Sequence, residues 1–330
     1  MQPQHKILFG FGSHVVPYAG DVKRMFDSFK PHIYCKEMPG SGREELDRTS
    51  PKFNTRSGRK SIIETLRIKR AAEVDPGIEF SIKELEMVDG IRPQPTVLLL
   101  ERNSPTNLSM YMTLKLRLAK DALAFQDALW SGDLDNAIKS RLRMESHILT
   151  MVDLRDGIIA EEAGKRFPEI ASKKNNYTME PEVRIMFFYG AGHYRIEKMI
   201  RERLPEGMFD IEVQKTPQLY EPPVYTYLTH EVLEGKKSAE WLANDAHREA
   251  EIRVDLEKAA LFDLMNFCLG SGVENAFLLS KVGARMAEVM DTLTIEETAG
   301  VFSSLKEKPK DRTLVEDFIK EKGLLEGINQ

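Results

Sequence analysis

Two histidines, a glutamate and two arginines are the residues of this chain whose types and settings point to chemistry. His14 follows Ile7-Leu8-Phe9-Gly10-Phe11-Gly12-Ser13, and His193 follows Ile185-Met186-Phe187-Phe188-Tyr189-Gly190-Ala191-Gly192. In both stretches an apolar run ends in small residues and then presents an imidazole. Such runs suit buried parallel strands, whose carboxyl ends are where ligands gather in open α/β sheets. Glu37 closes His32-Ile33-Tyr34-Cys35-Lys36-Glu37 in the same manner. An imidazole transfers protons near neutral pH and ligates divalent metals; a carboxylate orients it, activates water or shares the ion. His14, Glu37 and His193 are therefore candidate acid–base groups and candidate metal ligands. Gly12, Gly190 and Gly192 allow a substrate or cofactor to approach the backbone, where a loop amide can stabilise an oxyanion. Arg43 and Arg155 are candidates for holding an anionic group or a developing charge.

Positioning these residues requires a mainly parallel sheet. Asp21 to Phe29 has Val22, Met25, Phe26 and Phe29 at helical spacing, Lys30-Pro31 stops it, and the strand ending at Glu37 completes a βαβ unit. After Pro39-Gly40-Ser41-Gly42, the stretch from Pro51 to Lys60 reads as a basic loop. Ser61-x-x-Glu64 reads as a capping box for a helix to about Val74. Ile78-Glu79-Phe80-Ser81-Ile82 alternates as a strand, Asp89-Gly90 signals a turn, and Thr96 to Leu100 reads as another strand, with Glu101 a second strand-end carboxylate. The second Gly-His stretch is followed by a short helix from Arg195 and a strand over Phe209 to Val213, a further βαβ unit.

Between about 108 and 166 the apolar residues fall at helical spacing, interrupted by Ser131-Gly132-Asp133, which predicts a long helical insertion. His147 within it reads as a packing or solvent-facing residue. Arg155 and Asp156 are adjacent, so only one of them is expected to face a pocket. The organisation expected is an α/β core over 1–220 carrying that insertion, then a helical annex over 221–330, with Thr313-x-x-Glu316 as a capping box near the end.

With 42% hydrophobic and 30% charged residues the 330-residue chain has a globular composition, and a net charge of -5 gives no general attraction to nucleic acid or anionic membranes. The basic segment from Lys52 to Arg70 is the local exception and reads as a solvated face. Two cysteines, Cys35 and Cys268, exclude a disulfide scaffold and a Cys-cluster zinc site. The first apolar run is too short for a signal-peptide core, and no stretch reaches the roughly 18 apolar residues of a membrane span, so a cytoplasmic location is expected. No Gly-x-Ser-x-Gly elbow or Walker loop occurs, and His230-Glu231-Val232-Leu233-Glu234 departs from the zinc-protease motif at its last position.

The order of Gly10-Phe11-Gly12-Ser13-His14, of Lys30 to Glu37 with Arg43, of Leu154-Arg155-Asp156-Gly157-Ile158-Ile159-Ala160-Glu161, and of Tyr189-Gly190-Ala191-Gly192-His193 resembles the TraB/TIKI and erythromycin-esterase-like superfamily, over about residues 7–205. The resemblance implies one pocket built from two Gly-x-x-His motifs and strand-end glutamates, and activities that include metal-dependent peptide cleavage, macrolide ester hydrolysis, and haem or iron handling. Gly190 and His193 match the second motif; in the first, Phe11 stands in the glycine position between Gly10 and Gly12. Glu37 matches the glutamate after the second strand, and Arg155-Asp156 the helical pair. The function expected is hydrolysis of an ester or peptide bond in a small-molecule or peptide substrate, by a His/Glu pocket with or without a divalent metal (Mn, Co or Zn). A non-catalytic carrier or sensor of metal, haem or a small anion is the alternative, and a homo-oligomer is compatible with either.

Overall fold

The computed structural model describes residues 5–12, 19–37, 43–72, 76–193, 195–216, 222–270, 286, 288–290 and 292–323. Its centre is a five-stranded, all-parallel sheet: β1 (His5–Gly12), β2 (Ile33–Cys35), β3 (Thr96–Leu98), β4 (Arg184–Gly190) and β5 (Phe209–Lys215), in the order β3-β2-β4-β1-β5. The fold is α/β, as expected from the sequence. β1 and β4, the two Gly-terminated runs, are direct neighbours, and their register sets Gly12 beside Gly190. Register also aligns Cys35 with Phe187 and with Leu98, so β2 and β3 finish together while β4 runs three residues further, to Gly190.

Helices cover both faces, which explains why the central runs Ile7–Phe9 and Ile185–Tyr189 are apolar at every position, whereas the edge strand β5 alternates. On one face Ile7, Phe9, Ile33, Cys35, Ile185, Phe187 and Tyr189 pack on Ile159, Ala163 and Phe167 of α6 (Leu134–Ser172) and on Ile196 and Ile200 of α7 (Ile196–Arg201). On the other, Leu8, Tyr34, Val97, Met186 and Phe188 pack on α1 (Ala19–Phe29), α3 (Arg56–Ala72) and α4 (Pro76–Gly90). β3 is an edge strand whose free polar groups are partly met by a side chain from α2 (Arg43–Phe53) and its flank. The Asn54 amide accepts from Val97 N (2.7 Å) and donates to Val97 O (3.0 Å), as a neighbouring strand would.

Several local expectations are corrected. Ile78 to Ile82 is not a strand but the start of α4. Ile78, Ile82, Leu85 and Val88 are all buried, and that helical series becomes visible only when the window extends past the five alternating residues. The basic stretch from Pro51 to Lys60 is not a loop; it lies in α2, α3 and the short turn between them, so Ser61 is interior to α3 rather than its cap. Arg59 is fully buried, donating to Asp89 Oδ1 (2.7 Å) and to the Phe53 carbonyl, which makes it a structural residue of these helices. Asp89-Gly90 ends a helix rather than turning a hairpin.

The described chain divides into two compact units, Met1–Met112 with Val152–Gln218, and Thr113–Met151 with Leu219–Gln330. The first holds the sheet. α5 (Pro105–Trp130) and α6 supply residues to both, separated by Ser131-Gly132-Asp133, where Gly132 takes φ +74°, a conformation favouring glycine. The second unit is helical, with α8 (Pro223–Leu233), α9 (Ala239–Asn244), α10 (Ala250–Gly270), α11 (Ile295–Glu307) and α12 (Arg312–Glu321). A buried polar group anchors it: Tyr225 donates to Asp263 Oδ2 (2.9 Å), and the Arg141 guanidinium stacks 4.5 Å from the Tyr225 ring centroid. His147 pairs with Asp121 (3.0 Å). α12 is capped by Asp311, not Thr313. Among the described residues no helix is long and apolar enough to cross a membrane.

The crossing of β1 and the segment after β5 makes Gly12 a packing requirement. A Cβ there would overlap the Thr216 hydroxyl, and Thr216 is held close because its backbone N–H donates to Phe11 O (2.7 Å). Gly12→Ala is expected to cost about 1–3 kcal/mol in urea unfolding, with much of the loss recovered in Gly12→Ala/Thr216→Gly. Equal stability of the single variant and the parent would refute this packing account.

Candidate functional site

At the carboxyl ends of β2, β3 and β4 five charged side chains converge in the first unit. Glu37 stands two residues beyond β2 and Glu101 three beyond β3. Arg155 and Asp156 come from α6, and His193 ends the 3-10 turn Ala191–His193 that leaves β4. The Arg155 Nη2 donates to Glu37 Oε1 (2.5 Å) and to Glu101 Oε2 (3.0 Å). The imidazole of His193 lies between two carboxylates: Nδ1 bonds Asp156 Oδ1, and Nε2 is 3.4 Å from Glu37 Oε1. The Gly190 N–H points at Glu37 Oε2 from 3.4 Å, and Asn103 Nδ2 lies 3.4 Å from Glu101 Oε1. One chain of contacts thus runs Asp156–His193–Glu37–Arg155–Glu101.

The cluster is deep: Glu101 is 2%, Asp156 1% and His193 3% exposed. Burial disfavours charge, and the cluster survives because each charge faces an opposite one. Burial alone would lower the His193 pKa, but the Asp156 and Glu37 carboxylates outweigh it and raise the pKa to about 9. At neutral pH the ring is an imidazolium. Burial also raises the Asp156 carboxyl, partly offset by its bond to His193, so the two groups titrate as a coupled pair. Arg155 loses something to burial, yet its two glutamates keep its pKa above the ordinary value. With His193 protonated, the described side chains of the cluster are three carboxylates and two cations.

Two tyrosines border it. Tyr189 is the last inward-facing residue of β4, and its ring meets the His193 ring edge-on with centroids 5.5 Å apart. Its phenol is pushed up by burial first, then by Cys35, Glu37 and Glu101, against Arg155. Tyr111 of α5 is buried, and its phenol is raised by burial and by Glu101 and Glu37, again opposed by Arg155.

Of the residues expected from sequence, Glu37, Arg155, Gly190 and His193 are brought together here. Gly12 lies beside Gly190 in register but packs on Thr216. Gly192 sits within the 3-10 turn and is exposed. Arg43 begins α2, and its side chain lies outside the described residues, as does His14 entirely. Two expectations change. The Nη2 of Arg155 is committed to two buried glutamates, so that end of the guanidinium acts as an internal counter-ion, while its Nε–H has no acceptor among the described residues. Both members of the Arg155-Asp156 pair face the cluster. Adjacent helical side chains diverge by about 100°, and here Arg155 turns towards the ends of β2 and β3 while Asp156 turns towards the exit of β4. Sequence reasoning placed Glu101 at a strand end without joining it to the others, and it missed Tyr189. The signal for Tyr189 was a polar ring at the final inward position of an otherwise apolar strand.

The donor set bears on the metal reading. Glu37 Oε1 and His193 Nε2 are spaced so that two ligands of one divalent ion could occupy them, but an ion there would displace the His193 proton and face Arg155 on the same carboxylate. Among the described residues no group of three or more His, Cys, Asp or Glu side chains is arranged to hold a metal. The described donors fit a shared proton better than a cation.

Comparison of the chain with protein-family models, with curated proteins and with solved structures returned no match.

The raised His193 pKa has a defined consequence for stability. Because the folded value of about 9 lies above the ordinary 6.5, the stabilisation is complete below pH 6.5 and is lost as pH rises through 9. Between pH 7 and 10 the parent is expected to lose about 2–3 kcal/mol more than His193→Gln, measured by urea unfolding at each pH. A difference between the two proteins that stays constant over this range would show that His193 does not hold its proton as described.

Proposed function

We propose that this chain is a hydrolase of ester or peptide bonds in which His193 and Glu37 move the proton. The observation that carries the reading is the buried Asp156–His193–Glu37 series at the ends of parallel strands. A carboxylate on Nδ1 fixes the orientation of the ring and directs Nε2 outward, the arrangement that proton-transfer histidines require. With the proton held on the ring at neutral pH, His193 serves as the acid that protonates the departing oxygen or nitrogen. Glu37, whose side chain is the most exposed of the cluster at 12%, meets the incoming water. Arg155 holds Glu37 in place, and Glu101 balances Arg155. The resemblance to the TraB/TIKI and erythromycin-esterase-like superfamily supports the same reaction class. The three carboxylates among the described side chains of the cluster favour a neutral or cationic substrate over an anionic one.

Turnover on a panel of p-nitrophenyl esters and peptide p-nitroanilides tests the reading. Glu37→Gln and His193→Gln are each expected to lower kcat/KM by at least about 100-fold, with activity kept in chelator. Elemental analysis after Mn, Co and Zn additions accompanies the assay. Absence of turnover together with stoichiometric metal that both variants lose would replace the hydrolase reading with that of a carrier or sensor. Activity abolished by chelator and restored by one metal would replace the metal-free mechanism.

A further inference from the structure

Two donors of the cluster are buried with no acceptor among the described residues: the Tyr189 hydroxyl and the Arg155 Nε–H. A donor left so costs about 1–3 kcal/mol, because its water has been removed and nothing replaces it. Both belong to one locality. Tyr189 lies on the α6 side of the sheet with Phe187 and Cys35, its ring against His193, and its phenol is within electrostatic reach of Glu37, Glu101 and Arg155. The β2–β4 register places Cys35 beside Phe187, so the next residues on that face, Glu37 and Tyr189, are also neighbours. The Arg155 Nη2 is used by the two glutamates, while its Nε is not used.

Two donors beside a proton-carrying imidazole call for an oxygen acceptor. A carboxylate or phosphate would stand against the three carboxylates already among the described side chains here. A neutral carbonyl oxygen meets the requirement, and its demand for donors grows as it becomes an oxyanion. We infer that Tyr189 is a further catalytic residue, its hydroxyl donating to the carbonyl oxygen of the ester or amide under attack, with the Arg155 Nε–H as a second donor. This rests on the hydrolase reading. Water adds to the carbonyl carbon, its proton passing to Glu37. The C=O electron pair moves onto the oxygen held by Tyr189, and collapse of this intermediate expels the leaving group, which takes the His193 proton. Tyr189 itself neither gains nor loses a proton.

The test compares the parent with Tyr189→Phe, which removes one oxygen and keeps the ring packing against Phe187 and His193. Deleting a hydroxyl that has no acceptor leaves nothing unpaired, so the thermal midpoint is expected to hold within about 2 °C. On the best ester of the panel kcat is expected to fall about 100-fold, with KM changed less than about threefold. A trifluoromethyl ketone analogue of that ester, whose hydrate mimics the tetrahedral stage, is expected to bind the variant at least tenfold more weakly. An unchanged kcat, or a fall in kcat accompanied by an equal loss of thermal stability and unchanged ketone binding, would overturn the role of Tyr189 alone. A parent with no turnover on any ester or anilide would overturn the hydrolase reading, and this inference with it.

Discussion

The ion pair between Arg155 and Glu37 is the contact on which the rest of the site depends. A guanidinium and a carboxylate taken from water into a protein interior each lose several kcal/mol of hydration, and their mutual attraction repays this only with good geometry and further bonds. Here the further bonds are supplied by Glu101 on the arginine and by His193 and the Gly190 amide on Glu37. Removing any one of these charges takes a buried partner from at least one of the others. The cluster is therefore a single electrostatic unit, and the protonation of His193 follows from it: the ring lies between Asp156 and Glu37, and only its charged form can donate to both.

That unit is assembled by strand order. β4 enters the sheet between β2 and β1 although nearly 150 residues separate it in sequence from β2. Parallel pairing brings the ends of β2, β3 and β4 out on the same edge of the sheet, so residues that emerge after each, Glu37, Glu101 and His193, meet without any one segment having to reach far. α6 then crosses that edge and contributes two consecutive side chains. Because the sheet is covered on both faces, Cys35, Leu99, Leu100 and Tyr189 near the exits are locked by packing, which limits the freedom of the charged residues that follow.

What could be read from the sequence follows the same division between local and assembled features. The parallel sheet and the exits at Glu37 and His193 were legible because buried parallel strands are short, continuously apolar and bounded by breakers. The helix over Pro76–Gly90 was misread because its first five apolar and polar residues alternate, and period 2 and period 3.6 share the i, i+4 position. The burial of Arg59 was not legible, because a basic residue on a helix reads as solvated; Arg155 read as a pocket residue, but only the tertiary arrangement reveals the two carboxylates that neutralise it.

Arg155 also shows why residue type predicts role poorly inside a charged cluster. An arginine near a strand-end pocket suggests an anion clamp, and with a free guanidinium it would be one. Once two glutamates occupy its Nη2, the same residue becomes the means by which two carboxylates can be buried a few ångströms apart. The electrostatic character of the cluster is then set by the total and not by its most conspicuous member: among the described side chains three acids stand against two bases. That balance rests on His193 keeping its proton and on Arg155 keeping both partners.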